Sequence, residues 1–363
     1  MDSLTHIVLG AIIGEAMAGR KLGKKAMLLG AVAQSLPDID FVASSWLDTS
    51  RDVLAHRGIT HSFLFVLLAG IALALLAERL GRRRTRKGAG AGAELGSGEH
   101  AADVGRGVGS GGLSLRGWLF FFCLQLFVHI FLDAFNAYGT GWFEPFSHYR
   151  VSFNVLFVAD PFYSVWLGIS FLALLILKRD SRARKFWMRF GLLVSSFYLY
   201  YCVMNKYKVD KLVKKELARQ QIAYTRYLTS PTPFNNWLWY IVAEDKNGYD
   251  VGYYSLFDRH GSIAFHFFPR NDSLLTPVRG REDVQNLLRF AEGYYTVERW
   301  KDVLVFSDLR FGQMKGWEYP DAHFVFHYFL ERPGDNMVIL QRGRFAGWDK
   351  HAVEAFIRRI GGN

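Results

Sequence analysis

The sequence predicts an α-helical polytopic membrane domain of about six helices, followed by a soluble α+β domain with an antiparallel sheet. Three observations predict it. Long apolar runs crowd the chain before about residue 205, while the mean hydropathy of the whole is only +0.06. Clusters of Lys and Arg sit beside those runs. Beyond residue 205 the apolar runs shorten to strand-like stretches separated by short turns, with helical patterns between them, as in α+β proteins. At 363 residues the chain is long enough for two domains, 1–205 and 206–363.

Six apolar segments are expected, at 6–19, 25–36, 61–80, 117–138, 162–177 and 187–205. The last four approach the roughly 20 residues that span a bilayer as a helix. The first two are shorter and carry Gly and Glu15, so a soluble-style helical hairpin is the alternative there. "MDSLTHIVLG" lacks a basic leader and is not expected to be a cleaved signal. Basic clusters follow segments one (20–25), three (79–87) and five (178–185). With six spans these fall on one side, which the positive-inside rule makes cytoplasmic. The N-terminus and the C-terminal domain are then extracytoplasmic. A dissenting cluster, Lys206 to Lys215, precedes a long translocated domain, where the rule weakens. The formal charge of +11 is spent on this placement, which argues against nucleic acid as a partner and for the lipid bilayer. Cys123 and Cys202 lie inside apolar runs, so neither a disulfide framework nor a thiolate metal site is expected.

Residues 88–115, Gly/Ala/Ser-rich, read as a flexible cytoplasmic linker, with His100 solvated in it. From 206 a helix is expected, then strands at "NWLWYIVAED", "DVGYYSLF", "SIAFHFFP", "DVLVFSDLRF", "HFVFHYFL" and "NMVILQRG". Helical patterns interrupt them at "REDVQNLLRFAEGYYTVERW" and "DKHAVEAFIRRI". The domain's histidines (His260, His266, His323, His327) fall singly in strand patterns and read as packing or surface residues. His323 and His327, four apart in a strand, would stand about 13 Å apart, too far to share a metal.

The chemistry lies in polar islands at segment ends. "MDSLTH" carries Asp2 and His6, "LPDIDF" Asp38 and Asp40, "HRGITHS" His56, Arg57 and His61, "HIFLDAFNAYGT" His129 and Asp133, and "VADPFY" Asp160. The six-span topology puts all of them on the outer face. His129 and Asp133 share a helix face one turn apart, so imidazole and carboxylate can bind one cation, or the Asp can orient the His. An ionisable pair inside a span is costly and usually serves a site; the alternative is a mutual hydrogen bond tying helices together. Pro37 ends a helix, and Asp38 and Asp40 then point the same way in an extended turn, repelling unless a cation neutralises them. A solvated loop with capping Asp residues is the alternative. Thr60 is expected to cap the third segment's helix with His61 in its first turn, and Gly58 to let His56 swing beside it. Arg57 and that helix terminus suit phosphate. Simple surface histidines are the alternative here.

The expected metal ligands are His6, Asp38, Asp40, His56, His61, His129 and Asp133. Asp2 and Asp160 are expected to support them from outside, and Arg57 and Tyr138 to bind substrate. Asp38, His61 and Asp133 are the candidates for direct catalytic roles. Imidazole with carboxylate and no thiolate points to zinc first, manganese second, with room for more than one ion. Such a site activates water and polarises a phosphoryl or acyl oxygen. No Gly-x-Ser-x-Gly elbow or phosphate-binding Gly-rich loop occurs, which disfavours serine hydrolases and nucleotide-driven enzymes.

"DSLTH", "PDID", "HRGITHS" and "HIFLDAFNAYGT", with "FEPFS" and "ADPFY" after them, resemble the bacterial membrane-bound metal-dependent hydrolases. These are inner-membrane proteins related to a DNA-damage-inducible member, and the resemblance covers about residues 1–200. It implies an inner-membrane hydrolase whose metal is held by those motifs. A weaker likeness is to the zinc phospholipase C and single-strand nuclease superfamily, with His148 as the one candidate for a next ligand. Two functions stay open. One is an enzyme cleaving a phosphoester or ester of a lipid or amphiphile at the outer leaflet. The other is a non-catalytic membrane protein with a structural metal and a partner-binding C-terminal domain.

Overall fold

The computed structural model describes residues 1–93, 113–332, 334, 336 and 348–362. Helix α1 (Ser3–Leu22) and α2 (Lys24–Ser35) form a hairpin through Gly23, whose φ of 60° turns the chain. Glycines set the approach of the two helices. A Cβ on Gly30 would lie 2.0 Å from the Gly10 carbonyl oxygen, and one on Gly14 2.2 Å from that of Ala26. Small residues at four-residue spacing are how helices pack backbone to backbone where lipid offers no hydrophobic drive. A 3₁₀ helix, Pro37–Ser45, continues α2 at a bend of 53°. Pro37 ends α2, as the sequence predicted, but "PDID" is helical rather than extended.

Helix α3 (Thr49–Ala55) and a 3₁₀ turn, Ile59–His61, lead into α4 (Phe63–Ala93). Helix α5 (Leu115–Asp133) packs antiparallel on α4. Helix α6 (Pro161–Ile176) and α7 (Arg182–Arg219) complete the helical region. Helix α4 runs into the segment expected as linker, of which residues 94–112, with His100, lie outside the described residues.

The count of six spans is not supported. Among the described residues two helices are long and apolar enough to cross a membrane, Phe63–Arg82 and Leu115–Asp133, or three if α2 and its bent continuation act as one. The others fall short for separate reasons. Helix α1 carries His6 and Glu15, the latter in a buried ion pair with Arg184 (2.7 Å). Helix α6 has 16 residues, short of a span. The sixth segment is diluted by serines and tyrosines and is part of the 38-residue α7.

Helix α7 crosses the expected boundary at 205/206 without a break. Its buried residues Gly191, Ser195 and Cys202 face the helical region, and Val209, Val213 and Leu217 pack on Trp239, Ile241 and Ala243 of the C-terminal domain. That domain has two antiparallel sheets. One is β1 (Arg226–Pro231), β2 (Leu238–Glu244), β3 (Gly248–Ser255) and β4 (Phe265–Pro269) in that order. The other is β5 (Tyr295–Trp300), β6 (Val303–Gln313) and β7 (Phe324–Phe329). The layers run α7, first sheet, second sheet, α8 (Glu282–Ala291). Helix α9 (Lys350–Ile360) closes the described chain.

Two strands escaped the sequence reading. "RYLTSP" ends in proline and forms β1 beside β2 alone, an edge position that tolerates it. The helix expected through Trp300 stops at Ala291, because Glu292 and Gly293 take φ of 50° and 87°, and the rest becomes β5. The expected strand "NMVILQRG" lies almost wholly outside the described residues.

Candidate metal centre

Three pieces of backbone meet where α5 ends. Helix α5 brings His129 and Asp133 on one face, the bent continuation of α2 brings Asp38, and the turn before α4 brings His61. Each of these four offers a ligand atom, and those atoms all lie within 4.8 Å of one another. His61 Nε2 is 3.2 Å from Asp133 Oδ2 and 3.6 Å from Asp38 Oδ1; His129 Nε2 is 3.3 and 3.5 Å from the same atoms. His61, His129 and Asp133 are fully buried, and the carboxylate of Asp38 keeps 12% exposure, so it forms the lip.

Hydrogen bonds behind the cluster fix the imidazoles. His129 Nδ1 donates to the carbonyl of Gln34 at 2.5 Å, which leaves Nε2 bearing the lone pair toward the cluster. Thr60 donates its hydroxyl to Asp40 Oδ2 (2.9 Å), so at 3.0 Å it accepts from His61 Nδ1. His61 is thereby held in the same tautomer. Asp40 also accepts from the Arg57 amide (2.8 Å) and pairs with His56 Nδ1 (3.0 Å). Burial lowers the His56 pKa against that bond. Asp40 and His56 thus stand behind His61, outside the four-residue group.

His6 stacks on His129 with ring centroids 3.9 Å apart and sets Nε2 3.2 Å from Asp133 Oδ1. Among the described residues its Nδ1 is buried without a partner, and Asp133 Oδ2 accepts no hydrogen bond. The Met1 amino group also contacts Asp133 Oδ1. Arg57 points inward. Its guanidinium lies 3.2 Å from Asp133 Oδ1, donates to Asn136 Oδ1 (2.8 Å) and covers the Tyr138 ring at 5.2 Å. The left-handed residue of "HRGITHS" is Arg57, at φ 59°, and not Gly58. Thr60 does not cap α4; Ser62 does, accepting from the Phe65 amide at 3.1 Å. His61 therefore precedes the helix instead of entering its first turn.

Asp2 and Asp160 are the N-caps of α1 and α6. Asp160 takes the Tyr198 hydroxyl (3.0 Å), and Thr5, bonded to Asp2, ties α1 to Ser164 of α6 at 2.6 Å. His148 is exposed and bonds Glu144 (2.9 Å), apart from the cluster. The sequence reading missed Ser3, which donates to Asp38 Oδ2 (2.9 Å), as well as Gln34, Asn136 and Arg150. Gln34 acts through its backbone, which no side-chain pattern reveals.

Residues 1–209 match the family described as YdjM inner membrane protein. The chain belongs to that family. The matched region contains the whole cluster, and the family's description places it in the inner membrane. The chain is 26% identical over 197 residues to the uncharacterized protein YfhP of Bacillus subtilis (strain 168), covering 49% of this chain and 51% of that one. It is also 26% identical over 149 residues to the inner membrane protein YbcI of Escherichia coli (strain K12), 40% of this chain and 69% of that one. The chain thus spans about half the length of the first relative. No solved structure matches it.

Proposed function

We propose that this protein is a membrane-embedded metalloprotein whose cluster of Asp38, His61, His129 and Asp133 holds a divalent ion and hydrolyses a phosphoester or ester of a lipid or amphiphile. The observation that carries the metal is the convergence of two Nε2 lone pairs and two carboxylates, each oriented from behind, in a buried space at the end of α5. Two carboxylates and two neutral imidazoles suit zinc or manganese. When bound, such an ion supplies water activation and polarisation of the scissile oxygen. His61, His129 and Asp133 would hold it from within, the partly exposed Asp38 would hold it from the solvent side, and Arg57 offsets the charge of Asp133.

Exposed Ile39, Phe41 and Val42 follow Asp38 on the bent helix and exposed Trp46 follows its end, and such a surface sits at the headgroup level of a bilayer. This supports an amphiphilic substrate. We place the cluster at the extracytoplasmic end of α4 and α5, because the basic run 79–87 lies in the opposite half of α4, where its apolar stretch Phe63–Arg82 ends.

The near-complete enclosure of the cluster favours a second reading, a structural metal in a closed shell. One experiment separates them. Purified protein loaded with zinc or manganese is incubated with mixed phospholipids, and diacylglycerol, phosphatidic acid and lysolipid are assayed. Turnover lost in Asp38→Asn supports the hydrolase. Bound metal with no product from any headgroup class leaves the structural reading.

A further inference from the structure

The family match ends at residue 209, yet the C-terminal domain reaches the metal-bearing loop. Val53 and Leu54 of α3 and Tyr138 after α5 pack into the core formed by α8 and the second sheet. Arg51 pairs with Glu282 through two bonds of 2.9 and 2.7 Å, and Asn286 reaches Ser50 at 3.3 Å. At the centre of this contact stands Arg150, buried and with no carboxylate paired to its guanidinium among the described residues. It donates to three backbone carbonyls, His56 at 2.7 Å, Leu54 at 3.3 Å and Tyr138 at 3.3 Å. Its flat face lies over Phe290 of α8, 5.6 Å from the ring centre.

Those carbonyls belong to two different supports of the cluster. Leu54 and His56 lead into the turn that carries His61, and Tyr138 follows the end of α5 that carries Asp133. A buried guanidinium is costly to desolvate, so three carbonyls must hold it, and the holding works both ways. A second tie runs in parallel, from the Gly141 amide to the Arg57 carbonyl at 2.9 Å.

We propose that Arg150 is a positioning residue: seated on Phe290, it fixes the His61 turn against the end of α5, so the C-terminal domain sets the geometry of the metal centre. This rests on the metal reading above, through which Arg150 acts without touching the ion. Lysine cannot replace it, because a single ammonium lacks the planar fork that serves three divergent acceptors.

The test uses the full chain in detergent and two readouts, zinc affinity and the visible absorption of bound cobalt(II), which reports coordination geometry. Wild-type protein that binds neither ion defeats the metal reading and not this one alone. With wild type binding, Arg150→Lys and Phe290→Ala are expected to weaken zinc about 10- to 100-fold, the range for residues that orient ligands, and to alter the cobalt spectrum. Glu282→Ala, which removes only the exposed pair to Arg51, is expected to change neither. If Phe290→Ala does not fold, Phe290→Leu takes its place. Unchanged affinity in Arg150→Lys overturns the proposal. So does weaker binding with an unchanged cobalt spectrum, which would mean general destabilisation.

Discussion

His61 and His129 bring their Nε2 atoms to 3.1 Å of each other in a buried space. The partners of their Nδ1 atoms leave a lone pair on each, and two facing lone pairs repel unless a cation or proton lies between them. A divalent ion that binds the folded state alone stabilises it by about 2.7 kcal/mol at a hundredfold excess over its Kd. Thermal unfolding in detergent is therefore expected to shift upward with zinc and downward with chelator. His61→Ala should abolish the shift, and persistence of the shift in that variant would exclude His61 as a ligand.

Thr60 transmits the orientation of Asp40 to His61. Thr60→Val keeps the volume and removes both bonds. Metal affinity is expected to fall about 10- to 100-fold with stoichiometry kept, as for other groups behind a ligating histidine. Equilibrium dialysis measures both quantities, and equal affinity would mean that His61 needs no such support.

The α1–α2 hairpin admits no side chain at Gly30, since a Cβ would stand 2.0 Å from the Gly10 carbonyl oxygen. Gly30→Ala must separate the helices and is expected to cost about 1–3 kcal/mol, the range for overpacking. Gly81→Ala, where an added Cβ would meet no heavy atom within 4 Å among the described residues, is the matched control and should be neutral or stabilising. Melting temperatures of the two variants in one detergent decide the point.

Glu216 of α7 accepts from Arg219 (2.6 Å), Gln220 (2.6 Å) and the Ile263 amide (3.2 Å). These bonds, with Arg219 foremost, hold its pKa down at about 2. A depressed carboxylate contributes stability that is present above its unfolded pKa and is lost as pH falls through the folded one. The C-terminal domain is therefore expected to lose stability between about pH 4.5 and 2. Glu216→Gln should lower stability at pH 7 and flatten the acid limb of a stability-versus-pH curve. Parallel curves for both proteins would assign the acid sensitivity elsewhere.

Helices α4 and α5 run antiparallel, with His61 and Asp133 at one end and the basic run 79–87 in the far half of α4. The C-terminal domain touches α3 at the cluster end. Reporter fusions at residue 95 and residue 240 are accordingly expected in opposite compartments, with 95 cytoplasmic. A shared compartment would refute the orientation.

Much of the site was legible because its chemistry is expensive. His129 and Asp133 stand out in an apolar run, and Asp38 and His61 flank helix breaks, so residue type and spacing alone marked all four. The inward turn of Arg57 was not legible. A guanidinium beside a span suits phosphate from sequence, and only the approach of Asp133 and Asn136 shows where it goes. Strands β2, β3, β4, β6 and β7 announced themselves as short runs rich in aromatic and β-branched residues between turns, whereas β5 hid behind a helical pattern that a left-handed pair at Glu292 and Gly293 cut short.

The sequence by itself determined the membrane-side helices, the sheet domain after them and the residues able to hold a cation, because burial cost and periodicity are local properties of the chain. Tertiary structure alone decided how many helices are fit to cross a bilayer, which four of seven expected ligands converge, and that Asp2 and Asp160 cap helices. It also decided that the domain beyond residue 209 packs against α3, ahead of the turn bearing His61. Convergence depends on the bend after α2, the turn at Arg57 and the fit of α3 on α8, and those arise from contacts between residues far apart in the chain.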